Sequence, residues 1–391
     1  MLPVAGVCQA AHPFFAVLLH VILPDRPLVL VAPDLKTQES FQQDIETWLS
    51  VCRGTGDESR EQKPPGEAGS GPLFYPAWET LPHEGKLPHA DTISDRLQTL
   101  VALADNSKSK TQTSKLVVTS VTALLQKTFP PGEIQARTRA LQRGDKINPL
   151  DLIEWLEQEG YEPEAQVTRK GEIALRGGIL DIWPLTSPWP VRLEFFGDEL
   201  ESLRHFDPLT QISRGEIPNS TIPPGGELGI LKCGVRNAEC GTKKSAPFAT
   251  LLDYLSPETI VLLCEPEQLA LRAEEYAQQV PPGDLFFISW PDLLGELNRR
   301  RLTSLELTEA VETGDAIPHS ALRNLPHWRL FARSPAAHSN RKWRKLSAVS
   351  FLTNSIAGSA RVMPSMFFAT TTANGSGFRK FGRKWDWNNS P

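Results

Sequence analysis

At 391 residues with 40% apolar residues, the chain is long enough for two or three compact domains with real cores, which excludes a wholly disordered protein. Its net charge of −5 hides an asymmetry: residues 336–391 hold nine Lys or Arg against one acid, Asp386, so this tail carries +8 and the first 335 residues −13. A body that acidic is a poor footprint for duplex DNA, because non-specific affinity comes mostly from Lys and Arg neutralising phosphates; a protein partner is favoured.

The apolar stretch Pro13 to Ala32 is interrupted by His20, Asp25 and Arg26 and follows no basic run. It therefore reads as core rather than signal peptide or membrane span, and predicts a cytoplasmic protein without membrane contact. Inside it, Pro27 to Pro33 (PLVLVAP) has the continuous apolar character of a strand buried on both faces. Phe41, Ile45, Trp48 and Leu49 then fall at helical spacing, with Asp34 available as a cap. Arg53 to Gly71, rich in Gly, Glu and Pro, predicts a mobile surface loop. Thr92 to Asp105 predicts an amphipathic helix with Ile93, Leu97, Leu100 and Val101 on one side. Leu116 to Thr119 is a second strand, followed by Ser120 as N-cap and by Val121, Leu124 and Leu125 as an apolar stripe. Strands alternating with helices imply an α/β domain with a mostly parallel sheet.

From Asn148 the pattern changes. Asn148 caps a helix with Pro149 at its first position, Leu152, Ile153 and Leu156 as the stripe, and Gly160 at its close. Alternation follows: Ile173 and Leu175 against Glu172, Ala174 and Arg176, then Val191, Leu193 and Phe195 against Arg192, Glu194 and Phe196. Gly197-Asp198 predicts a hairpin turn into Glu199 to Leu203, completing a small α+β domain. Beyond about residue 223, a strand at Thr259 to Leu263, a helix from Pro266 to Gln279 and a strand at Leu285 to Ser289 predict a return to the first sheet. Of the five cysteines only Cys233 and Cys240 lie close together, at a spacing that fits no common zinc or redox motif. Cys8, Cys52, Cys233, Cys240 and Cys264 are expected to be free buried thiols, with no metal site.

Three stretches decide the family. Tyr75 to Leu87 reads YPAWETLPHEGKL, Val117 to Gln126 reads VVTSVTALLQ, and Gly171 to Gln211 reads GEIALRGGILDIWPLTSPWPVRLEFFGDELESLRHFDPLTQ. In this order they resemble the N-terminal UvrB-like module of transcription-repair coupling factors, over roughly Gly6 to Leu330. The resemblance implies a degenerate P-loop-type α/β domain split in sequence into residues 1–140 and 223–335. An α+β domain that binds UvrA, residues 141–222, is inserted between the halves.

The resemblance also implies where a nucleotide would sit. The stretch matching the phosphate-binding loop of UvrB runs from Gly6 to Pro13, where a working loop needs glycines, then Lys, then Ser or Thr. Gln9 and Ala11 stand at glycine positions, His12 at the lysine and Pro13 at the hydroxyl residue. Cys264 precedes Glu265 where an Asp-Glu pair would hold the metal's water. ATP and Mg²⁺ are accordingly not expected as cofactors here, and no catalytic residue is assigned. Trp78, Glu79 and His83 offer a catalytic or base-stacking cluster, but the aromatic of such a loop reads rather as a packing anchor, and the Glu265 and Glu267 pair lacks the apolar pocket of carboxylate catalysis.

In the resembled family two arginines and a phenylalanine contact UvrA, matching Arg176, Arg192 and Phe196. An aromatic beside arginines on an exposed sheet face suits a binding hot spot. The ordinary alternative is that they merely cover the sheet, with Arg192 paired to Glu194 or Glu201 and Phe196 packed beneath the hairpin. Coupling factors reach RNA polymerase and DNA through further domains, including ATP-driven helicase lobes, and this sequence has no GxxxxGK[ST] or DExH motif. The expected function is UvrA recruitment in transcription-coupled nucleotide excision repair by an N-terminal fragment. The alternatives are translocase activity of the full family or a nonfunctional truncated product. Between Asp315 and Asp386 there is no acidic residue, and the basic tail from 336 is expected to be out of frame.

Overall fold

Three five-residue runs, Leu28–Ala32 (β2), Leu116–Ser120 (β4) and Ile260–Cys264 (β13), are apolar at nearly every position and buried at all of them. A strand with no polar face needs cover on both sides, and only a sheet packed between helix layers provides it. In the computed structural model, which describes residues 2–53, 71–84, 86–104, 115–227 and 248–309, these runs are the centre of a six-stranded parallel sheet. Its order is β1-β14-β13-β2-β4-β3, with β1 Leu2–Ala5, β3 Leu73–Tyr75 and β14 Thr303–Thr308. Side chains alternate across it. Leu28, Leu30 and Ala32 pack with helices α1 (His12–Ile22) and α2 (Leu35–Arg53). Val29 and Val31 face the other layer, α3 (Ala90–Ala104), α4 (Val121–Leu125), α7 (Pro266–Ala277) and α8 (Trp290–Arg299). The caps are where the sequence places them: Asp34 Oδ1 accepts from Thr37 N at 2.8 Å, and Ser120 Oγ from Ala123 N at 3.3 Å.

Between β4 and β13 the chain leaves the sheet. After α5 (Pro131–Ala136) comes β5 (Arg139–Gln142), which pairs antiparallel with β12 (Asn219–Ile222), so entrance and exit of the insertion lie side by side. Beyond this neck stands a second six-stranded sheet, β11-β10-β9-β8-β7-β6. Its strands are β6 Glu162–Pro163, β7 Glu172–Arg176, β8 Ile179–Ile182, β9 Val191–Phe196, β10 Glu199–Phe206 and β11 Ser213–Glu216. Only the β6/β7 pair is parallel. Helix α6 (Pro149–Gln158) covers one face with Leu152 and Leu156, which join Ile173, Leu180, Val191, Leu193 and Leu203 in the core. Asn148 Oδ1 accepts from Leu150 N at 2.9 Å, and Gly160 closes the helix at φ 91°, a left-handed turn that a Cβ disfavours.

Some expectations change. Leu285 to Ser289 is not a strand: it makes one isolated bridge, Gln126 to Phe287, and Phe286, Phe287 and Ile288 pack on the sheet's helix-covered core instead. The strand at that point of the chain is β14, whose Ser304 and Leu307 are buried. Ala174 is buried because a loop carrying Val167 folds over the far face of β7 and packs with Phe206 and Trp183, while Leu175, on the α6 side, is exposed. Among the described cysteines Cys264 alone is buried; Cys8 is half-buried and Cys52 exposed. Cys233, Cys240, most of the loop from Arg53 to Gly71 and the basic tail from 336 lie outside the described residues. No helix among the described residues is long and apolar enough to cross a membrane.

Candidate functional site

Two places carry the residues singled out by sequence: the loop ahead of α1, and the face of the second sheet opposite α6.

The first place begins where Gly6, at φ 79°, turns the chain out of β1. A single turn of 3-10 helix, Gln9–Ala11, runs into α1. A phosphate loop works by pointing backbone N–H groups at an anion. Here the Val7 N–H goes to Thr308 O at 3.1 Å, the Ala11 N–H to Cys8 O at 2.8 Å, and the His12 N–H to Gln9 O. His12 is fully buried, its Nε2 3.1 Å from Val7 O and 3.8 Å from Glu265 Oε1, and its ring meets Phe41 edge-on at 6.1 Å. Burial lowers its pKa, against the Val7 carbonyl and the Glu309 charge, so the ring at the lysine position is held neutral. Cys264 ends β13 in the core, with its thiol pushed well up by burial, and Glu265 spends its Oε1 on the Glu309 N–H at 2.8 Å. The Val7, Ala11 and His12 N–H groups are thus committed within the chain, the residue at the lysine position is a neutral ring, and the residue before Glu265 is a protonated thiol. Among the described residues no group of three His, Cys, Asp or Glu is placed to hold a metal ion.

The second place follows from strand register. Arg176 pairs with Ile179, Ile179 with Glu194 and Glu194 with Ser202, while Ala174, Asp181, Arg192 and Arg204 form the adjoining row. Since side chains two apart share a face, Arg176, Arg192 and Phe196 all stand on the side away from α6. The structure brings the three together on one face but gives them different surroundings. Phe196, at the Gly197 turn, is 81% exposed rather than packed beneath the hairpin. Arg176 is exposed, donating through Nε and Nη2 to Ala165 O at 3.2 and 2.7 Å, and it makes no ion pair among the described residues.

Arg192 pairs with neither Glu194 nor Glu201. Its Nε and Nη2 grip both oxygens of Asp181, at 2.8 and 2.9 Å, with the Asp181 side chain 3% exposed. This hydrogen-bonded pair raises the Arg192 pKa. The guanidinium lies 4.6 Å over the Phe206 ring, and Nη1 donates to Gln211 O at 3.2 Å and Ser213 Oγ at 3.3 Å. Glu194 is taken by Ser202 Oγ at 2.6 Å and by Arg204 at 3.5 Å. Sequence reasoning missed Asp181, which opposes Arg192 through the β8/β9 register that the longer connection 183–190 leaves open to several settings.

A third cluster was not foreseen. Arg96 of α3 and Glu227, just past the neck, form an ion pair with both side chains fully buried, Nε to Oε2 at 2.7 Å and Nη2 to Oε1 at 3.2 Å. Trp78 and Tyr75 sandwich the guanidinium at 4.2 and 4.3 Å, and the Trp78 indole N–H reaches Glu227 at 3.3 Å. Trp78 is thus a packing anchor, and the cluster ties the insertion's exit to the sheet domain.

Comparison with known proteins agrees with this division. Residues 140–227 match the family model described as the UvrB interaction domain. The transcription-repair-coupling factor of Mycobacterium tuberculosis is 35% identical over 328 residues, covering 70% of this chain and 26% of that protein. That of Escherichia coli is 34% identical over 210 residues, covering 54% and 16%, and that of Haemophilus influenzae 35% over 155 residues, covering 40% and 13%. The chain therefore spans about a quarter or less of the length of these relatives.

Proposed function

We propose that this chain, which carries the UvrB-like N-terminal module of transcription-repair coupling factors, acts by adhesion: its inserted domain docks UvrA in transcription-coupled nucleotide excision repair, and its sheet domain is a scaffold without nucleotide chemistry. The observation that carries the reading is an exposed Phe196 sharing a sheet face with Arg176, a cation with no ion pair among the described residues, inside the segment that matches the UvrB interaction domain. A large aromatic left in water on the same face as an exposed arginine is what an interface completes, since hot spots concentrate in aromatic and Arg side chains. The scaffold half of the reading is supported by the committed N–H groups of residues 7, 11 and 12 and by the buried neutral His12. RNA polymerase, DNA and ATP-driven translocation belong, in this reading, to other parts of coupling factors.

Titration calorimetry of the full chain with purified UvrA tests it. Phe196→Ala and Arg176→Ala are each expected to weaken binding by roughly 30-fold, the equivalent of about 2 kcal/mol, without changing the melting temperature. Titration with Mg²⁺-ATP in place of UvrA is expected to give no binding heat. Unchanged UvrA affinity in both variants sinks the docking claim, and micromolar ATP uptake sinks the scaffold claim.

A further inference from the structure

The face opposite α6 is not a bare sheet. Between β10 and β11 the loop 207–213 folds back over it, carrying Leu209 at 91% exposure and Ile212 at 67%. The loop is built to hold a shape. Asp207 Oδ1 accepts from Leu209 N at 2.9 Å and Thr210 N at 3.1 Å, Asp207 O from Gln211 N at 2.7 Å, and Asp207 N donates to Ile212 O at 3.0 Å. Arg214 locks the other carboxylate oxygen at 2.9 Å. Gln211 sits at φ 60°, a left-handed conformation that non-glycine residues adopt only when the surroundings impose it. Its side-chain N–H donates to Val167 O at 3.3 Å, joining this loop to the one braced by Arg176 through Ala165.

Arg192 supplies the rest of the constraint. Its Nε and Nη2 are spent on Asp181 and its Nη1 on the loop, at Gln211 O and Ser213 Oγ, so all three guanidinium nitrogens are engaged within this chain. A guanidinium so engaged offers a partner little. Leu209 and Ile212 offer more: the loop backbone that carries them is held by hydrogen bonds, and both side chains are largely exposed.

We infer that Leu209 and Ile212 form the apolar part of the UvrA-docking surface, and that Arg192 is a positioning residue that holds loop 207–213 in register for them. This rests on the docking reading above. The partner surface it fits has two apolar sockets along β9, one for loop 207–213 at the Val191 end and one for Phe196 at the hairpin end, with a carboxylate to meet Arg176. Charge complementarity favours such a surface, because Arg176 has no carboxylate of its own among the described residues.

A double-mutant cycle on the full chain with UvrA tests the inference. Leu209→Ser/Ile212→Ser is expected to weaken binding at least tenfold with unchanged melting, both side chains being exposed. Arg192→Ala is expected to weaken binding in the wild-type background but by less than twofold on top of the loop substitutions. Because Arg192→Ala strands the buried Asp181, the cycle is repeated with Arg192→Ala/Asp181→Ala, with amide exchange at residues 210–213 as a direct readout; faster exchange there is the expected result. Wild-type affinity in the loop variant alongside weak binding by Phe196→Ala overturns the inference and leaves the docking reading standing. Additive losses, or unchanged exchange at 210–213, overturn the positioning role. Wild-type affinity in Phe196→Ala, Arg176→Ala and the loop variant together overturns the docking reading itself.

Discussion

Removing the Glu227 side chain is the sharpest test of how the insertion is held. In Glu227→Ala the Arg96 guanidinium stays in a site with no solvent exposure and loses its counter-charge. It keeps only Pro76 O at 2.9 Å, Gln126 Oε1 at 3.3 Å and the Tyr75 hydroxyl at 2.6 Å. The Trp78 indole N–H and the Thr128 hydroxyl, which also donate to Glu227, lose their acceptor. Breaking a buried pair from one side costs about 3–5 kcal/mol, because the remaining charge is uncompensated. Against a total of about 5–15 kcal/mol for a domain, that is a large share. Urea unfolding followed by tryptophan fluorescence, which Trp78 reports from 4.2 Å above the guanidinium, measures it. The same logic predicts that Arg96→Met/Glu227→Leu recovers most of the loss, since an apolar pair of similar volume leaves no stranded charge. A loss below about 1 kcal/mol in Glu227→Ala, or a double variant as unstable as the single, refutes the reasoning.

Two further perturbations follow from the same neighbourhood. A Cβ on Gly225 would lie 2.6 Å from the carbonyl carbon and oxygen of Gly160 and 2.9 Å from Tyr161 N, all backbone, whereas one on Gly226 meets nothing within 4 Å. Gly225→Ala is therefore expected to cost roughly 1–3 kcal/mol by overpacking, seen as a fall in Tm, with Gly226→Ala as the near-neutral control. Asp95 of α3 is held up at about 6 by burial, against Lys170 and with Asp91. Its folded pKa exceeds the unfolded value, so the folded state binds the proton more tightly between about pH 4 and 6, and stability falls as pH rises through that window. Wild type minus Asp95→Asn should then grow more favourable to wild type on going from pH 7.5 to 5 in paired urea titrations. A flat difference refutes the assignment.

The fold was legible where its causes are local. Asn148, Pro149, the Leu152 and Leu156 pair and Gly160 specify α6 by cap, first-position proline, i/i+4 burial and left-handed stop, all within thirteen residues. The hairpin at Gly197-Asp198 and the alternation of Val191 to Leu193 are equally local. Leu285 to Ser289 misled because β-favouring apolar residues pack just as well as an irregular segment on a core, while β14, with its Ser and Glu interleaved, lacks the continuous apolar run of its neighbours. The candidate site divides the same way. That Arg192 and Phe196 share a face follows from period 2 alone, whereas Arg176 joins them through the β7/β8 and β8/β9 registers together. That Arg192 spends itself on Asp181 and Gln211 needs the register of three strands at once. The Arg96 and Glu227 pair, 131 residues apart, leaves no trace in a pattern of spacings.

Rigidity connects these observations to function. An interface that must order a loop or an inserted domain loses part of its binding energy to that ordering, so a docking module gains from being set beforehand. Here the neck strands β5 and β12 close the insertion, Gly160 and Gly225 touch backbone to backbone, and Lys170 reaches across to Ser94 Oγ at 2.8 Å while Ser94 donates to Leu185 O at 2.5 Å. Arg96 and Glu227 then fix the exit against α3 in a site from which water is excluded. Under the proposed docking of UvrA, the sheet domain would serve binding through stiffness: each of these ties leaves the face with Phe196, Leu209 and Ile212 fewer orientations to lose when the partner arrives. The Glu227 and Gly225 variants should accordingly weaken UvrA binding by more than their distance from that face suggests, and through the dissociation rate, because the encounter surface itself is untouched.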